Sequence, residues 1–266
     1  MNASSIQELQ YCRVEHRGPI TLITICRQEV RNALHRPACL ELEEVFDRFA
    51  ADPSAWVAII TGEGDKAFCA GNDLKFQAAG NDNTWPPSGF GGLTARHQLE
   101  KPVIAAVNGV ALGGGFEIAL ACDLIIAAEH AEFALPEPQV GLAAVCGGLL
   151  RLPQQIGLKQ AMGIILTSRR VGATEAKSLG FVNEVVPKDQ VLPVAIRWAQ
   201  EILKGSPLAI RASKALVNAG LWDPEIDRTY PKQKQLPTVA ALYSSADRIE
   251  GPKAFAEKRK PVWQGK

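Results

Sequence analysis

The chain lacks several features that would fix its class at once, and each absence narrows the field. It has no long run of either charge sign, and its 29 basic residues nearly cancel 28 acidic ones to leave +1. That balance argues against a nucleic-acid surface or a polybasic membrane patch. Its six cysteines (Cys12, Cys26, Cys39, Cys69, Cys122, Cys146) stand at wide, irregular intervals with no Cys-x-x-Cys pair. In a chain this long, such sparse cysteines read as reduced thiols in the cytoplasm. The four histidines are isolated and form no His-Glu-x-x-His cluster, so no metal is expected. No apolar stretch is long and polar-free enough to cross a bilayer. Residues 1–10 are polar and carry neither a basic nor an apolar leader region. A soluble protein is expected.

What is present is a large apolar fraction, 47% of 266 residues, enough for a substantial core. Residues 20–26 and 56–61 are rich in β-branched side chains and read as strands. Between them, residues 37–49 carry Leu40, Val45, Phe46 and Phe49 in a helical stripe. Residues 103–107 and 123–128 read as further buried strands, with a helix over 115–121 between them. This alternation predicts an α/β fold with parallel strands. From Pro153 onward the pattern turns mostly helical, with one strand over 181–186. Helices are expected over 191–203, 207–218 and 233–243, and Gly251-Pro252 is read as opening a last one that ends near Lys260. The change in character divides the chain into an α/β core, 1–204, and a helical region, 205–266. Residues 78–92, rich in Gly, Asn and Pro, form a loop.

Three glycine- or proline-bent segments carry the chemistry. Gly113-Gly114-Gly115 follows the strand at 103–107 and opens a helix, so its N–H groups are among those that a helix start leaves unpaired. Glycines also let a ligand carbonyl approach the backbone closely. A tight turn that merely permits close packing is the competing reading. In Ala70-Gly71-Asn72-Asp73 the N–H after Gly71 is a second candidate donor, while Asp73 reads equally well as the N-cap of a short helix from Leu74. Glu117 lies three residues past Gly114, about one turn on and on the same face. A first-turn glutamate can simply favour the helix dipole. Its neighbours Phe116, Ile118, Ala119, Leu120 and Ala121 are apolar, however, and a buried carboxylate is costly unless bonded or functional. Glu137 follows Pro136 in the run Phe133-Ala134-Leu135, where an exposed turn residue is the alternative. Together these elements would supply an oxyanion hole and two proton-moving carboxylates.

In their order and spacing these segments resemble the enoyl-CoA hydratase/isomerase (crotonase) family, and the resemblance runs from about Val14 to Trp263. It implies a spiral of repeated ββα units with a helical C-terminal trimerisation region, assembled as a homotrimer or dimer of trimers. It also implies oxyanion-hole donors at Asn72 and Gly114, where the family most often has alanine at the first position. Catalytic carboxylates are implied at Glu117 and Glu137, flanking the double bond of an enoyl-CoA thioester and jointly holding water. Isomerases and other members often lack one of the two, so hydration or the reverse dehydration is the expected reaction, with isomerisation the alternative. Coenzyme A is then part of the substrate, and no separate cofactor is implied. The segment from Ala70 through Asn72, Asp73, Leu74 and Lys75 would line the coenzyme A side, although Lys75 also reads as a surface lysine. Phe255 and Lys258 would reach the coenzyme A site of a neighbouring subunit, or else belong to a solvated helix end. Phe116-Glu117, Ala134-Leu135-Pro136-Glu137 and Gly148-Leu149-Leu150-Arg151-Leu152-Pro153 look most like the branch that includes carnitinyl-CoA dehydratase. A site for its trimethylammonium group is not evident. Ala143-Ala144-Val145-Cys146 departs from many hydratases, which have proline and glycine there.

Two rival readings exist. Gly62-Glu63-Gly64-Asp65-Lys66-Ala67 fits the loose G-x-G-x-x-A dinucleotide pattern, which requires a helix starting inside the loop. A non-catalytic protein with the same fold is the other, since fold does not fix function.

Overall fold

The computed structural model describes residues 5–82, 84–222, 225 and 230–266. Asn83 of the expected loop and residues 1–4 of the polar N-terminus lie outside them. The long β-branched runs form the strands of a large sheet: β1 (Ser5–Glu8), β2 (Cys12–Arg17), β3 (Ile20–Ile25), β4 (Val57–Gly62), β6 (Val103–Val107), β8 (Leu124–Ala128) and β11 (Glu184–Val186). The order in space is β1-β2-β3-β4-β6-β8-β11, antiparallel over the first three strands and parallel from β3 onward. Every residue of β3, β4 and β6 is buried, as expected for strands covered on both faces.

A second, four-stranded sheet is built from pieces too short to show a period in the sequence. These are β5 (Ala67–Cys69), β7 (Val110–Leu112), β9 (Glu132–Ala134) and β10 (Val171–Gly172), ordered β10-β9-β7-β5. β5, β7 and β9 run parallel, and β10 pairs antiparallel with β9. The chain therefore repeats one move, a large-sheet strand, then a small-sheet strand, then a helix. β4 and β5 lead to α2 (Leu74–Ala78), and β6 and β7 lead to α3 (Gly114–Ala121). β8 and β9 lead to a 3-10 turn, Glu137–Val140, and then α4 (Gly148–Ile156). This is the expected ββα repeat.

Side chains bind the repeats together. Asn108, just past β6, donates to Gly62 O at 2.8 Å and Gly64 O at 2.7 Å, and its Oδ1 accepts from Gly62 N at 3.1 Å. Asn32 donates to Glu63 O at 3.0 Å and Ala67 O at 2.8 Å. The loop between β4 and β5 is thus held from two sides, and it ends in a strand. No helix starts inside it, which overturns the dinucleotide-loop reading. Phe116, Phe133 and Phe181 form a mutual ring cluster, each pair of centroids 5.2 Å apart, which anchors α3 to β9.

α1 (Arg36–Ala51) buries Ala38, Cys39, Leu42, Val45, Phe46 and Phe49 at helical spacing. His35 caps it, accepting from Ala38 N at 3.3 Å. Further on come α5 (Leu158–Thr167), α6 (Ala173–Leu179), α7 (Val191–Ile202) and α8 (Pro207–Trp222). α4 begins at Gly148, five residues ahead of Pro153, where the sequence pattern turns mostly helical, and carries that proline inside it. The helix expected over 233–243 is divided into a 3-10 segment, Tyr230–Gln235, and α9 (Pro237–Ser244), because Leu236 is extended and Pro237 sets a new start. The last helix, α10 (Ala246–Ala256), begins before Gly251 because Ser245 caps it, accepting from Arg248 N at 3.2 Å. Pro252 therefore lies inside α10 and does not open it.

Candidate active site

The three segments singled out in the sequence occupy equivalent points of three successive repeats, each at the C-terminal end of a small-sheet strand. Because β5, β7 and β9 are neighbouring parallel strands, their ends lie side by side. Asn72 follows β5, Gly114 follows β7 and Glu137 follows β9. Crevices at the carboxyl ends of parallel strands are where α/β sheets receive ligands. The spacing is close: a Cβ on Gly71 would sit 3.2 Å from Gly114 N, and one on Gly113 would sit 2.8 Å from Glu137 Oε1.

Each donor amide is kept out of the local hydrogen-bond ladder. In the first turn a bridge to Leu34 uses the flanking groups, Leu34 N to Gly71 O at 2.8 Å and Asp73 N to Leu34 O at 2.8 Å. The intervening Asn72 N–H faces away from Leu34. In the second turn Gly113, at φ 54°, donates to Ala134 O at 2.9 Å, and the first intrahelical bond of α3 is Glu117 N to Gly113 O at 3.0 Å. Gly114 N is left free by its place in the first turn. Among the described residues, neither Asn72 N nor Gly114 N has a hydrogen-bond acceptor.

Both turns are rigidly held. Arg27, which the sequence reading did not single out, forms a nearly buried ion pair with Asp73 at 3.1 Å and also donates to Ala33 O. Asp73 caps α2 as expected, accepting from Phe76 N at 3.1 Å. Around the triple glycine there is no room for side chains. A Cβ on Gly114 would lie 2.5 Å from the buried Phe90 ring, and one on Gly115 only 2.0 Å from Cys69 O.

Glu117 is 2% exposed, on the face of α3 shared with Gly114. Its Oε1 accepts from Gly148 N at 2.9 Å, at the start of α4. Burial pushes its carboxyl up to about 7, the Gly148 hydrogen bond opposes this, and the charge of Glu137 adds to it. Arg151 on α4, donating to Thr94 O at 2.8 Å, places a compensating positive charge nearby. Glu137 is half-buried, and burial raises its carboxyl too. Its Oε2 is shielded from solvent and has no partner among the described residues. So two carboxylates of raised pKa, mutually repelling, stand beside two free amides. Such perturbed groups in a cleft mark a candidate site. Asn72 is half-buried: its Nδ2 donates to Gln77 Oε1 at 2.7 Å, and its shielded Oδ1 has no partner among the described residues. Leaving a buried acceptor unpaired costs about 1–3 kcal/mol.

The other expected positions divide. Ala70 and Leu74 flank the first turn, Leu74 being 45% exposed, and Lys75 is exposed on α2. Phe255 and Lys258 stand at the far end of the chain, exposed, with Phe255 at 87%. Among the described residues, no hydrogen bond, ion pair or ring contact joins either to Asn72, Gly114, Glu117 or Glu137. Among the described residues, no group of three or more His, Cys, Asp or Glu is arranged as a metal site, and no helix is long and apolar enough to cross a membrane.

Residues 15–266 match the enoyl-CoA hydratase/isomerase family. A carnitinyl-CoA dehydratase of Citrobacter koseri is 45% identical over 252 residues, spanning 94% of this chain and 96% of that protein. The crystal structure of an enoyl-CoA hydratase from Mycobacterium tuberculosis H37Rv superposes with a TM-score of 0.90 at 39% identity, covering 96% of this chain and 99% of that one. A carnitinyl-CoA hydratase from Mycobacterium avium is 41% identical, with a TM-score of 0.77 over 97% of this chain and all of that one. With a family match over almost its whole length, and with the repeated ββα architecture, this chain belongs to the enoyl-CoA hydratase/isomerase, or crotonase, family.

Proposed function

We propose that the protein is a hydro-lyase that adds water reversibly, in the syn sense, across the 2,3 double bond of an enoyl-CoA thioester. One observation carries this reading: two free backbone amides, the buried Glu117 carboxyl and the half-buried Glu137 carboxyl lie about the ends of three adjacent parallel strands. The thioester oxygen binds at Asn72 N and Gly114 N. Charge that develops there on addition meets donors already in place, worth about 3 kcal/mol each in comparable oxyanion holes. Water is held between Glu117 and Glu137. An ionised Glu117 removes its proton as oxygen bonds to C3 while a protonated Glu137 delivers one to C2, and transfer of a proton from Glu117 back to Glu137 restores the starting pair. Dehydration runs the same steps backwards. The raised pKa values suit this, since a carboxyl titrating near 7 can both accept and return a proton near neutrality. The two groups are coupled, so the apparent values belong to the pair.

On this reading the only small molecules required are the thioester and water. The exposed apolar residues Val217, Leu221, Tyr243, Ile249 and Phe255 of the helical region, 205–266, suit contacts between subunits of a trimer or a dimer of trimers. There Phe255 and Lys258 would approach a neighbouring subunit's coenzyme A, and Ala70, Asp73, Leu74 and Lys75 the chain's own. The six free cysteines suit a reducing cytoplasm.

Loss of crotonyl-CoA absorbance on adding the protein tests the reading, and an unchanged trace at micromolar enzyme would end it. A second reading, dehydration of a carnitinyl-CoA-like 3-hydroxyacyl thioester, is favoured by the relatives at 45% identity. A panel of enoyl-CoA and 3-hydroxyacyl-CoA thioesters ranked by kcat/KM separates the two.

A further inference from the structure

The free N–H of Asn72 is the open end of a chain of hydrogen bonds that starts at a charge. Gly71 O and Asn72 N–H belong to one planar trans peptide and point in opposite directions. Gly71 O accepts from Leu34 N at 2.8 Å, so that bond aims the Asn72 N–H away from Leu34. Leu34 N shares its own peptide with Ala33 O, and Ala33 O accepts from the Arg27 guanidinium. The order is Arg27, the Ala33–Leu34 peptide, the Gly71–Asn72 peptide, and then no acceptor among the described residues.

The start of the chain is fixed at both ends of its side chain. The other arm of the guanidinium meets Asp73 Oδ2 at 3.1 Å, the two side chains being 11% and 10% exposed. At the root, Arg27 N donates to Asn32 Oδ1 at 3.1 Å, and the buried Asn32 is itself bonded to Glu63 O and Ala67 O. A cation in contact with one end of linked amides polarises them in turn, strengthening each N–H along the chain by about 10–30%. Asp73 offsets part of that charge at long range, but the bond to Ala33 O is made by direct contact. The second donor, Gly114 N, has the start of α3 behind it instead.

We propose that Arg27 is a positioning residue of the oxyanion hole: its guanidinium orients and polarises the Asn72 N–H through the two intervening peptides, so that the thioester oxygen meets a donor strengthened by a charge it never touches. The inference rests on the placement of that oxygen at Asn72 and Gly114.

Butyryl-CoA carrying carbon-13 at its carbonyl cannot be hydrated, and the fall in its carbonyl stretching frequency on binding reports the donors themselves. Difference infrared spectra would be recorded on the full-length protein, on Arg27→Lys and on the double variant Arg27→Met/Asp73→Asn. In the double variant asparagine keeps an acceptor for Phe76 N, and no buried charge loses its partner. Val45→Ala, which thins the buried face of α1, serves as a control of lowered melting temperature. The frequency shift is expected to shrink by about 10–30% in the double variant. It should stay at the wild-type value in Val45→Ala, and be largely kept in Arg27→Lys, which retains a charged donor for Ala33 O. With crotonyl-CoA the double variant should lose about tenfold in kcat while KM changes by less than about twofold, the mark of an interaction that strengthens in the transition state. A full wild-type shift in the double variant overturns the proposal. So does an equal loss in Val45→Ala, which would reduce Arg27 to a support of the fold. If methionine prevents folding, Arg27→Gln/Asp73→Asn, with a neutral donor, takes its place under the same two outcomes. Absence of any shift in the wild type would take the thioester off these amides and end the proposal with that placement. A wild-type shift that shrinks in the double variant, without hydration of crotonyl-CoA, would end the hydratase reading alone.

Discussion

The two walls of the cleft are built in opposite ways. On one side α3 is buried from Gly114 to Leu120, and its first turn is packed so closely that no Cβ fits at Gly114 or Gly115. On the other, residues 137–147 form a solvent-facing turn in which only Ala144 is buried and Val145 is 78% exposed. On the proposed mechanism the donor wall must not move, because an oxyanion hole works by being in place before charge appears. The opposite wall would have to admit water and substrate, and most of its residues stand exposed. Rigidity then lies where charge would develop, and access where protons would be exchanged.

The largest effect that would break this contrast comes from Gly115→Val. Its Cβ would fall 2.0 Å from Cys69 O and 2.9 Å from Cys69 Cβ, so β5 and α3 must separate. Loss of folded protein is expected, or, in any folded fraction, loss of crotonyl-CoA hydration by about 10²–10³-fold as the donors part. A thermal melt and a rate measurement on the soluble fraction check it. Near-normal stability and rate would mean that the donor wall is not rigid.

Next comes Glu117→Gln, where activity and stability should move in opposite directions. Removing the base is expected to lower kcat by about 10²–10⁴-fold. Stability follows from linkage. The carboxyl titrates near about 7 when folded, against an ordinary 4.5, so the folded state holds its proton more tightly. The stability this confers is complete below about pH 4.5 and is lost as pH rises through about 7. At pH 8 the ionised, buried carboxylate therefore costs on the order of 3 kcal/mol. Glutamine keeps an oxygen for Gly148 N without the charge. Its melting temperature should exceed the wild type's at pH 8, and the gap should close by pH 4. A wild type as stable as the variant at pH 8 would show that the donor wall tolerates charge freely.

Much of this was legible in the chain itself, for identifiable reasons. The strand at 103–107 agrees with β6 residue for residue, and the helix over 115–121 differs from α3 by one position, because long apolar runs ending in glycine have few other solutions. Glu117 and Glu137 stood out because an acid in apolar company needs a reason. What was not legible is the alignment that brings them together. β5, β7 and β9 are three residues each, too short for any period, yet their parallel pairing sets three turns side by side. Arg27 was invisible because its partner Asp73 is 46 positions away. The bond from Gly148 N to Glu117 was equally invisible, because it spans 31 positions. Local propensity finds the elements, and contacts remote in sequence make the site.

The smallest and sharpest test concerns the coupling across the cleft. Glu137→Gln is expected to slow hydration by about 10²–10⁴-fold. Five influences set the titration of Glu117: burial raises it most, the Gly148 and Cys146 backbone N–H groups and the Arg151 charge lower it, and the negative charge of Glu137 raises it. Only the last disappears in this variant. The titration of Glu117, followed by carboxyl-carbon NMR, should therefore move to lower pH. It should not reach the range of an exposed glutamate, because burial persists. A parallel titration of Glu137→Ala, which also opens space for water, should move further, since added water relieves burial as well as charge. A titration unmoved in Glu137→Gln would mean that the two acids do not sense each other, and the walls would then be separate surfaces rather than the halves of one proton-transfer site.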